Sequence, residues 1–582
     1  MKYKISYSNP HTHYIDIECS IENISLPQIE LQLPSWRPGR YELGNFAKNI
    51  QHFKVINAKG EALSFKKTSK DSWSINTRGE SVITVIYNYY AAELNAGSTW
   101  LDNKQLYINP INCLLYCKQK LEDPCHIEIN VPFDYKLAGA LKVVSTAINK
   151  EIKTIKAMAR DYHTLVDTPF ICSNSLQHNM FVLDGVEFNI WFQGECKPDW
   201  AKLIGDFFIF INEQFLLFKS FPTERYHFLI QVLPFQFYHG VEHADSTVIA
   251  IGPAYNLMRK DLYDELLGVS SHELFHTWNV KNIRPKEMLP YKYNTENYAT
   301  TGYIYEGLTT YYGDLMLYRS GIFSDADYFK TLTQQFQKHL DNHGRFNYSV
   351  AQSSFDTWLD GYVPGVPNRK VSIYTEGCLL AFMADAQIRA QTNNNASLDN
   401  VLLALYNDFG KNNIGYTAND YQTIIEHVTG QNWNDFFNNY IEGTLPYNDL
   451  LISSLAYFGL ELSIVTSKRP YESFLGFKVS EQNNETIVQN IHPGSLAEAA
   501  GLAIKDKIIG VNGFEVRNNL NEWCNYFWKE TFVINVITDG KTREINLKPS
   551  KIMYYKTYLV IKSNDATAEQ ADNYNKWIGR KY

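Results

Sequence analysis

The chain of 582 residues lacks any apolar run near the ~18 residues that a membrane-spanning helix needs. It also lacks blocks of Lys or Arg, and its net charge is −8. Nucleic acid is thereby excluded as a natural partner, because such binding rests on neutralising phosphates. The opening residues MKYKISYSNPHTHY contain no apolar h-region, so no signal peptide is expected. The expected location is the cytoplasm, or the periplasm for a chain that has lost a leader. The eight cysteines (Cys19, Cys113, Cys117, Cys125, Cys172, Cys196, Cys378 and Cys524) are scattered and form no Cys-x-x-Cys pair. A reduced intracellular protein is the simplest reading. No short-period internal repeat is present.

What the chain does have is aromatic residues, at 14% with 40 Tyr and 33 Phe, alongside 45% hydrophobic and 20% charged residues. That composition belongs to a folded soluble protein with β-rich regions and clefts that grip peptide or sugar. Its length suggests about three or four domains. Residues 1–165 read as short strands separated by turns, such as His52-Phe53-Lys54-Val55-Ile56 and Val82-Ile83-Thr84-Val85-Ile86-Tyr87, and predict an antiparallel β domain. Over 166–455 helical periodicity takes over. Leu262, Leu266, Val269 and Leu274 mark a helix in 261–281, with Asp261 as its N-cap. Segments 301–320 (stopped by Gly321), 374–392 and much of 397–444 read as further helices. Short strands return over 456–550, and a polar tail, 551–582, follows. The expected fold class is multidomain α+β.

The chemistry concentrates at Ser271-His272-Glu273-Leu274-Phe275-His276. Residues i and i+4 share one helix face, so His272 and His276 can reach one metal ion. A catalytic zinc takes three protein ligands and a water, and Glu273, beside the first histidine, can take that water's proton. The third ligand is sought downstream. Glu306, in a predicted helix, is preferred over Glu296, whose surroundings are loop-like, because a helix holds a ligand more rigidly. His11 and His13 read as a structural pair on a strand rather than as ligands.

These residues carry a resemblance. His272-Glu273-Leu274-Phe275-His276-Thr277-Trp278-Asn279-Val280-Lys281, followed by Ile283-Arg284-Pro285, resembles the zinc segment of the glycyl aminopeptidase family, gluzincins with a thermolysin-like, mostly helical catalytic domain and a PDZ domain. Pro34-Ser35-Trp36-Arg37-Pro38-Gly39-Arg40-Tyr41 and Leu165-Val166-Asp167-Thr168-Pro169-Phe170 extend it. The run from Glu306 through Tyr312 is similar to that family's third-ligand helix. The resemblance implies one Zn2+ per chain and peptide substrates with a small N-terminal residue, Gly or Ala. In Gly240-Val241-Glu242-His243 it implies a substrate-edge strand, with Glu242 gripping the α-ammonium. His243 departs from the Asn usual in the wider clan. It implies Tyr374 as oxyanion donor, although Glu376 stands where Lys or Arg is frequent. Residues 456–550 resemble a PDZ domain, with Leu475, Gly476 and Phe477 as its carboxylate-binding loop and a C-terminal peptide as possible ligand. The competing readings are a zinc endopeptidase and a PDZ-centred peptide-binding protein with an inactive peptidase site.

Overall fold

The computed structural model describes every residue except 364, 466, 529, 530 and 550. The chain divides into two compact units. One comprises Met1–Ser324, Val350–Val363 and Ser372–Phe437, the other Asp325–Ser349, Pro364–Val371 and Asn438–Tyr582.

The first unit begins with a seven-stranded sheet in the order Lys142–Asn149, Ile152–Ala159, Cys125–Pro132, Lys2–Ser6, Tyr14–Ile21, Ile83–Tyr90, Ile50–Asn57. Its strands alternate in the manner of a half-buried sheet. Ile15, Ile17, Cys19 and Ile21 point inward while Asp16 and Glu18 point outward. Every pairing is antiparallel, as expected, except that of Lys2–Ser6 with Cys125–Pro132, which is parallel. Gln28–Gln32 belongs to a second, four-stranded sheet. Residues of both sheets share an apolar core that continues into Tyr291, Tyr293, Tyr305 and Ile373, so the β domain is fused to the helical region rather than merely tethered. His11 lies in a 3-10 turn, Pro10–Thr12, and His13 is left-handed at φ 59°. The strand expected there is broken by Pro10.

A five-stranded sheet follows, ordered Gln177–Leu183, Val186–Gln193, Arg225–Val232, Ser246–Gly252, Phe237–Glu242. Its three central strands are parallel and its outer pairs antiparallel, leaving Phe237–Glu242 at an edge. The helix Lys260–Phe275 packs on Phe237–Glu242 and Ser246–Gly252. Its N-cap is Arg259, without a side-chain cap, and not Asp261. Asp261 lies in the first turn, where its charge still favours the helix dipole. The helix expected over 301–320 opens as a π-helical turn, Tyr303–Leu308, and continues as the α-helix Thr309–Arg319. Gly321 follows at φ 86°. The helix Ile373–Gln391 is capped by Ser372, whose side chain accepts from the Thr375 N–H.

In the second unit a six-stranded sheet includes, in order, Phe477–Gln482, Glu485–Ile491, Lys507–Val511, Phe532–Thr538 and Lys541–Leu547. Its core gathers Val488, Ile508, Ile534 and Val536 with Leu520 and Cys524 of the helix Leu520–Tyr526. The polar segment after 550 is folded. Thr557–Lys562 pairs with Leu460–Val465, and the helix Ala568–Ile578 buries Tyr574, Trp577 and Ile578. Trp577 stacks on Phe458 at 4.3 Å. No helix among the described residues is long and apolar enough to cross a membrane.

Candidate active site

His272 lies in the last turn of the 260–275 helix, and His276 is its C-cap. Their Nε2 atoms face each other at 3.1 Å. Glu306 Oε2 lies 3.4 Å from His276 Nε2 and 3.9 Å from His272 Nε2. Ligand atoms bonded to a tetrahedral zinc at 2.0–2.1 Å stand about 3.3 Å apart, so this triangle has the size of a zinc site. The tautomer fits as well. His276 Nδ1 donates to the Asn279 carbonyl at 2.8 Å, which turns Nε2 toward the triangle. Glu296 lies in a loop, where its carboxylate accepts from the Thr295 hydroxyl at 3.1 Å, and it is not part of the cluster.

The π-helical turn presents Glu306. One extra residue per turn re-aims side chains, and such turns recur at functional sites. The Tyr303–Leu308 turn crosses the 373–391 helix at a glycine pair, since a Cβ on Gly307 would fall 2.3 Å from the Gly377 Cα. That close approach places Tyr374, in the first turn of its helix, near Glu306 and Glu242. Its hydroxyl pairs with the Tyr362 phenol. Burial, and then the Glu306 charge, raises the Tyr374 pKa well above the usual phenol value, so Tyr374 stays a hydrogen-bond donor. Glu376, on the same helix, is buried.

Glu242 ends the edge strand and is 3% exposed. Ligand atoms of Glu242, Glu273 and His276 lie within 4.8 Å of one another. A Cβ on Gly240 would meet Glu273 Oε1 at 2.2 Å, so the bare edge strand is what lets Glu273 lie against it. Glu242 Oε1 and Glu273 Oε2 are buried and have no hydrogen-bond partner among the described residues. Burial pushes the Glu273 pKa up to about 8, with Glu242 and Glu306 adding to the shift and His276 opposing it. For His276, burial disfavours the charged form, yet the Glu306 carboxylate outweighs it and raises the pKa to about 10.

His243 is tied into a buried ion network. The Asp167 carboxylate accepts from Lys281 Nζ at 2.7 Å, from His243 Nδ1 at 3.1 Å and from the Ala244 N–H at 3.0 Å. The residue after Glu242 therefore anchors the strand end. Burial alone would raise the Asp167 pKa, but Lys281 and His243 hold it well below the usual carboxylate range.

Two residues beside the site were not assigned a role from sequence. The Tyr41 hydroxyl donates to Glu306 Oε1 at 2.9 Å. Arg37 is 5% exposed, with a guanidinium N–H 3.4 Å from His239 Nε2. Both lie in the segment that ends Arg37-Pro38-Gly39-Arg40-Tyr41, whose only local signal is a turn.

In the second unit Leu475 ends the helix Pro470–Leu475, Gly476 is its left-handed cap at φ 84°, and Phe477 opens the strand Phe477–Gln482. The Gly476 N–H donates to the Tyr471 carbonyl at 3.0 Å, and Leu475 and Phe477 are buried in the core.

Comparison with known proteins agrees with this layout. Residues 2–174 match the Peptidase M61 N-terminal domain, residues 265–380 match the M61 glycyl aminopeptidase, and residues 464–524 match the PDZ domain. An aminopeptidase N family protein from Idiomarina loihiensis is 26% identical, with 99% of each chain covered and a TM-score of 0.90. An M1 zinc metallopeptidase from Deinococcus radiodurans is 14% identical over 76% of this chain and 92% of its own, at a TM-score of 0.48. No curated protein matches.

Proposed function

We propose, from its matches to the Peptidase M61 N-terminal domain and the M61 glycyl aminopeptidase, that the chain is a zinc aminopeptidase removing N-terminal Gly or Ala from peptides. The observation that carries the reading is the pair of buried carboxylates with an unpartnered oxygen, Glu242 and Glu273, beside the two histidines and Glu306. Glu242 lies within 4.8 Å of Glu273 and His276. An ammonium held by Glu242 would thus leave room for a single residue before the reacting carbonyl, which favours exopeptidase over endopeptidase action. The Gly/Ala preference rests on the family alone.

His272, His276 and Glu306 would hold one zinc ion. When bound, the ion acidifies water and polarises a carbonyl. Glu242 takes the substrate's α-ammonium in a charge-assisted hydrogen bond. Glu273 removes a proton from the attacking water and passes it to the leaving amine. The Tyr374 hydroxyl, kept protonated by burial, exchanges Tyr362 for the developing oxyanion. In the second unit a peptide C-terminus would add along Phe477–Gln482, the end strand of its sheet. Because the Gly476 amide already serves the Tyr471 carbonyl, capture of a carboxylate at Leu475–Phe477 would require that helix end to open.

The test is product analysis by mass after incubating the zinc-loaded protein with Gly- and Ala-initiated peptides, free and N-acetylated. Release of one N-terminal residue from free peptides only is expected. Internal cleavage of both kinds makes it an endopeptidase, and no cleavage with zinc confirmed makes the PDZ domain the centre of function. Glu242→Ala should lower kcat/KM on free peptides about 100-fold, the scale of losing a buried charged partner, and leave the acetylated ones unmoved. Equal loss on both would argue against amine recognition.

A further inference from the structure

A turn of the N-terminal β domain reaches the active site, where it bonds Glu306 and lies beside Glu242. It is held firmly. The Ser35 N–H donates to the Tyr293 carbonyl at 2.7 Å, Trp36 Nε1 to the Lys292 carbonyl at 2.8 Å, and the Tyr41 N–H to the Tyr362 hydroxyl at 3.1 Å. Trp36 is fully buried, edge-on to Trp358 at 4.9 Å and Tyr291 at 5.6 Å.

From this fixed base the turn lies beside both glutamates. Glu306 has Oε1 on the Tyr41 hydroxyl at 2.9 Å, and Oε2 is the oxygen that faces the histidine pair. Glu242 has Oε2 against Gly39, where a Cβ would fall 2.3 Å away, and Oε1 is the oxygen left without a partner. Gly39 is at φ 79°, so both its conformation and the space beside it call for glycine. Glu306 is thus held by a hydrogen bond from the turn, and the Glu242 carboxylate lies where a side chain at position 39 would stand.

We propose that the turn Arg37–Tyr41 is a positioning element of the active site, aiming Glu306 through the Tyr41 hydroxyl and Glu242 through the bare Gly39 backbone. The inference rests on the aminopeptidase reading. It assigns the N-terminal domain a direct part in metal affinity and in recognition of the substrate's amine.

Tyr41→Phe tests it. The ring keeps its packing on Tyr305 at 5.2 Å and Trp358 at 6.0 Å, so folding is preserved while one hydrogen bond is lost. Zinc affinity, measured by competition with a chromophoric chelator, should fall about 10–100-fold, the usual effect of removing a group that orients a metal ligand. Unchanged affinity would overturn the proposal, and so would a lowered unfolding temperature without a change in affinity, since that is a merely structural role. Gly39→Ala should keep zinc affinity and cut the preference for free over N-acetylated peptides about tenfold or more, because Glu242 must move. An unchanged preference in a folded, zinc-binding Gly39→Ala protein would remove Gly39 from the proposal. If the unsubstituted protein cleaves free peptides as expected but Tyr41→Phe binds zinc normally, the turn's role fails and the aminopeptidase reading stands. If the unsubstituted protein cleaves nothing, it is that reading that fails.

Discussion

Asp385 lies well along the helix Ile373–Gln391. It accepts from Arg389 Nε at 3.0 Å, from the Leu398 N–H at 3.0 Å and from the Tyr311 hydroxyl at 2.9 Å. Nearby, Asp399 accepts from the Tyr312 hydroxyl at 2.7 Å and from Arg319 at 2.8 Å. A buried carboxylate, Asp385, and a half-buried one, Asp399, thus meet two guanidiniums, and the cost of taking charge out of water is offset on the spot. Eleven residues back on the same helix, about 16 Å along its axis, Tyr374 stands beside Glu306 and Glu242, with Glu273 next to them. There three carboxylates converge. Two of them keep a buried oxygen without a partner among the described residues, and burial pushes the Glu273 pKa up to about 8. An uncompensated buried charge costs several kcal/mol, and at this end three carboxylates outnumber the one buried guanidinium beside them, that of Arg37, whereas at the other each carboxylate meets an arginine. The closed end holds the helices together, and the open end suits a metal ion and an ammonium group.

The sharpest way to break this comparison is Glu273→Gln. The variant should bind zinc as before and lose turnover about 10²–10⁴-fold, the contribution of a positioned general base. Zinc content by elemental analysis and kcat on a free Gly peptide check both halves, and near-normal turnover would leave the open end without its proposed chemistry. At the closed end the effect should fall on stability. Asp385→Asn removes the carboxylate that meets the buried Arg389 guanidinium, for a loss of about 3–5 kcal/mol, read as a lower urea midpoint with zinc content intact. Glu242→Ala in the same titration should cost less, because one oxygen of the group it removes is unmatched and the buried Arg37 guanidinium is the main charge that loses by its removal. If the two variants were equally unstable, the closed and open ends would not differ in kind.

The open end was partly legible in the sequence and the closed end was not. His272, Glu273 and His276 sit within one helical turn, and spacing alone places them on one face. Glu306 was preferred over Glu296 on helix against loop, and the structure sets Glu306 against both histidines, although the π-helical turn that aims it leaves no mark in the residue pattern. Tyr41 was out of reach. It meets Glu306 across 265 positions, and a turn of Arg, Pro and Gly signals only a bend. Asp385 and Arg389 stand four apart on their helix, and periodicity cannot tell which face a neighbouring helix will cover. The segment 551–582 hid its buried face, Tyr574, Trp577 and Ile578, behind a polar average.

His227 shows a third treatment of a buried titratable group, neither matched nor reserved but kept neutral. It lies on the strand Arg225–Val232, is 6% exposed, and accepts at Nδ1 from Trp191 Nε1 at 3.2 Å. The proton therefore sits on Nε2, which has no partner among the described residues. Burial, reinforced by Arg225, lowers its pKa from 6.5 to about 4. A folded value below the unfolded one means that the fold favours the neutral ring. The stability it contributes is complete above about 6.5 and drains away as pH falls through about 4. His227→Phe should therefore flatten the acid limb of the stability profile. Between pH 7 and pH 4.5 the unsubstituted protein should lose on the order of 1–3 kcal/mol more than the variant, visible as a larger shift of the urea midpoint. Parallel profiles would mean that the ring charges without penalty in the folded chain. The strand would then tolerate a buried cation beside Arg225, and the contrast between matched, reserved and avoided charge would reduce to its first two members.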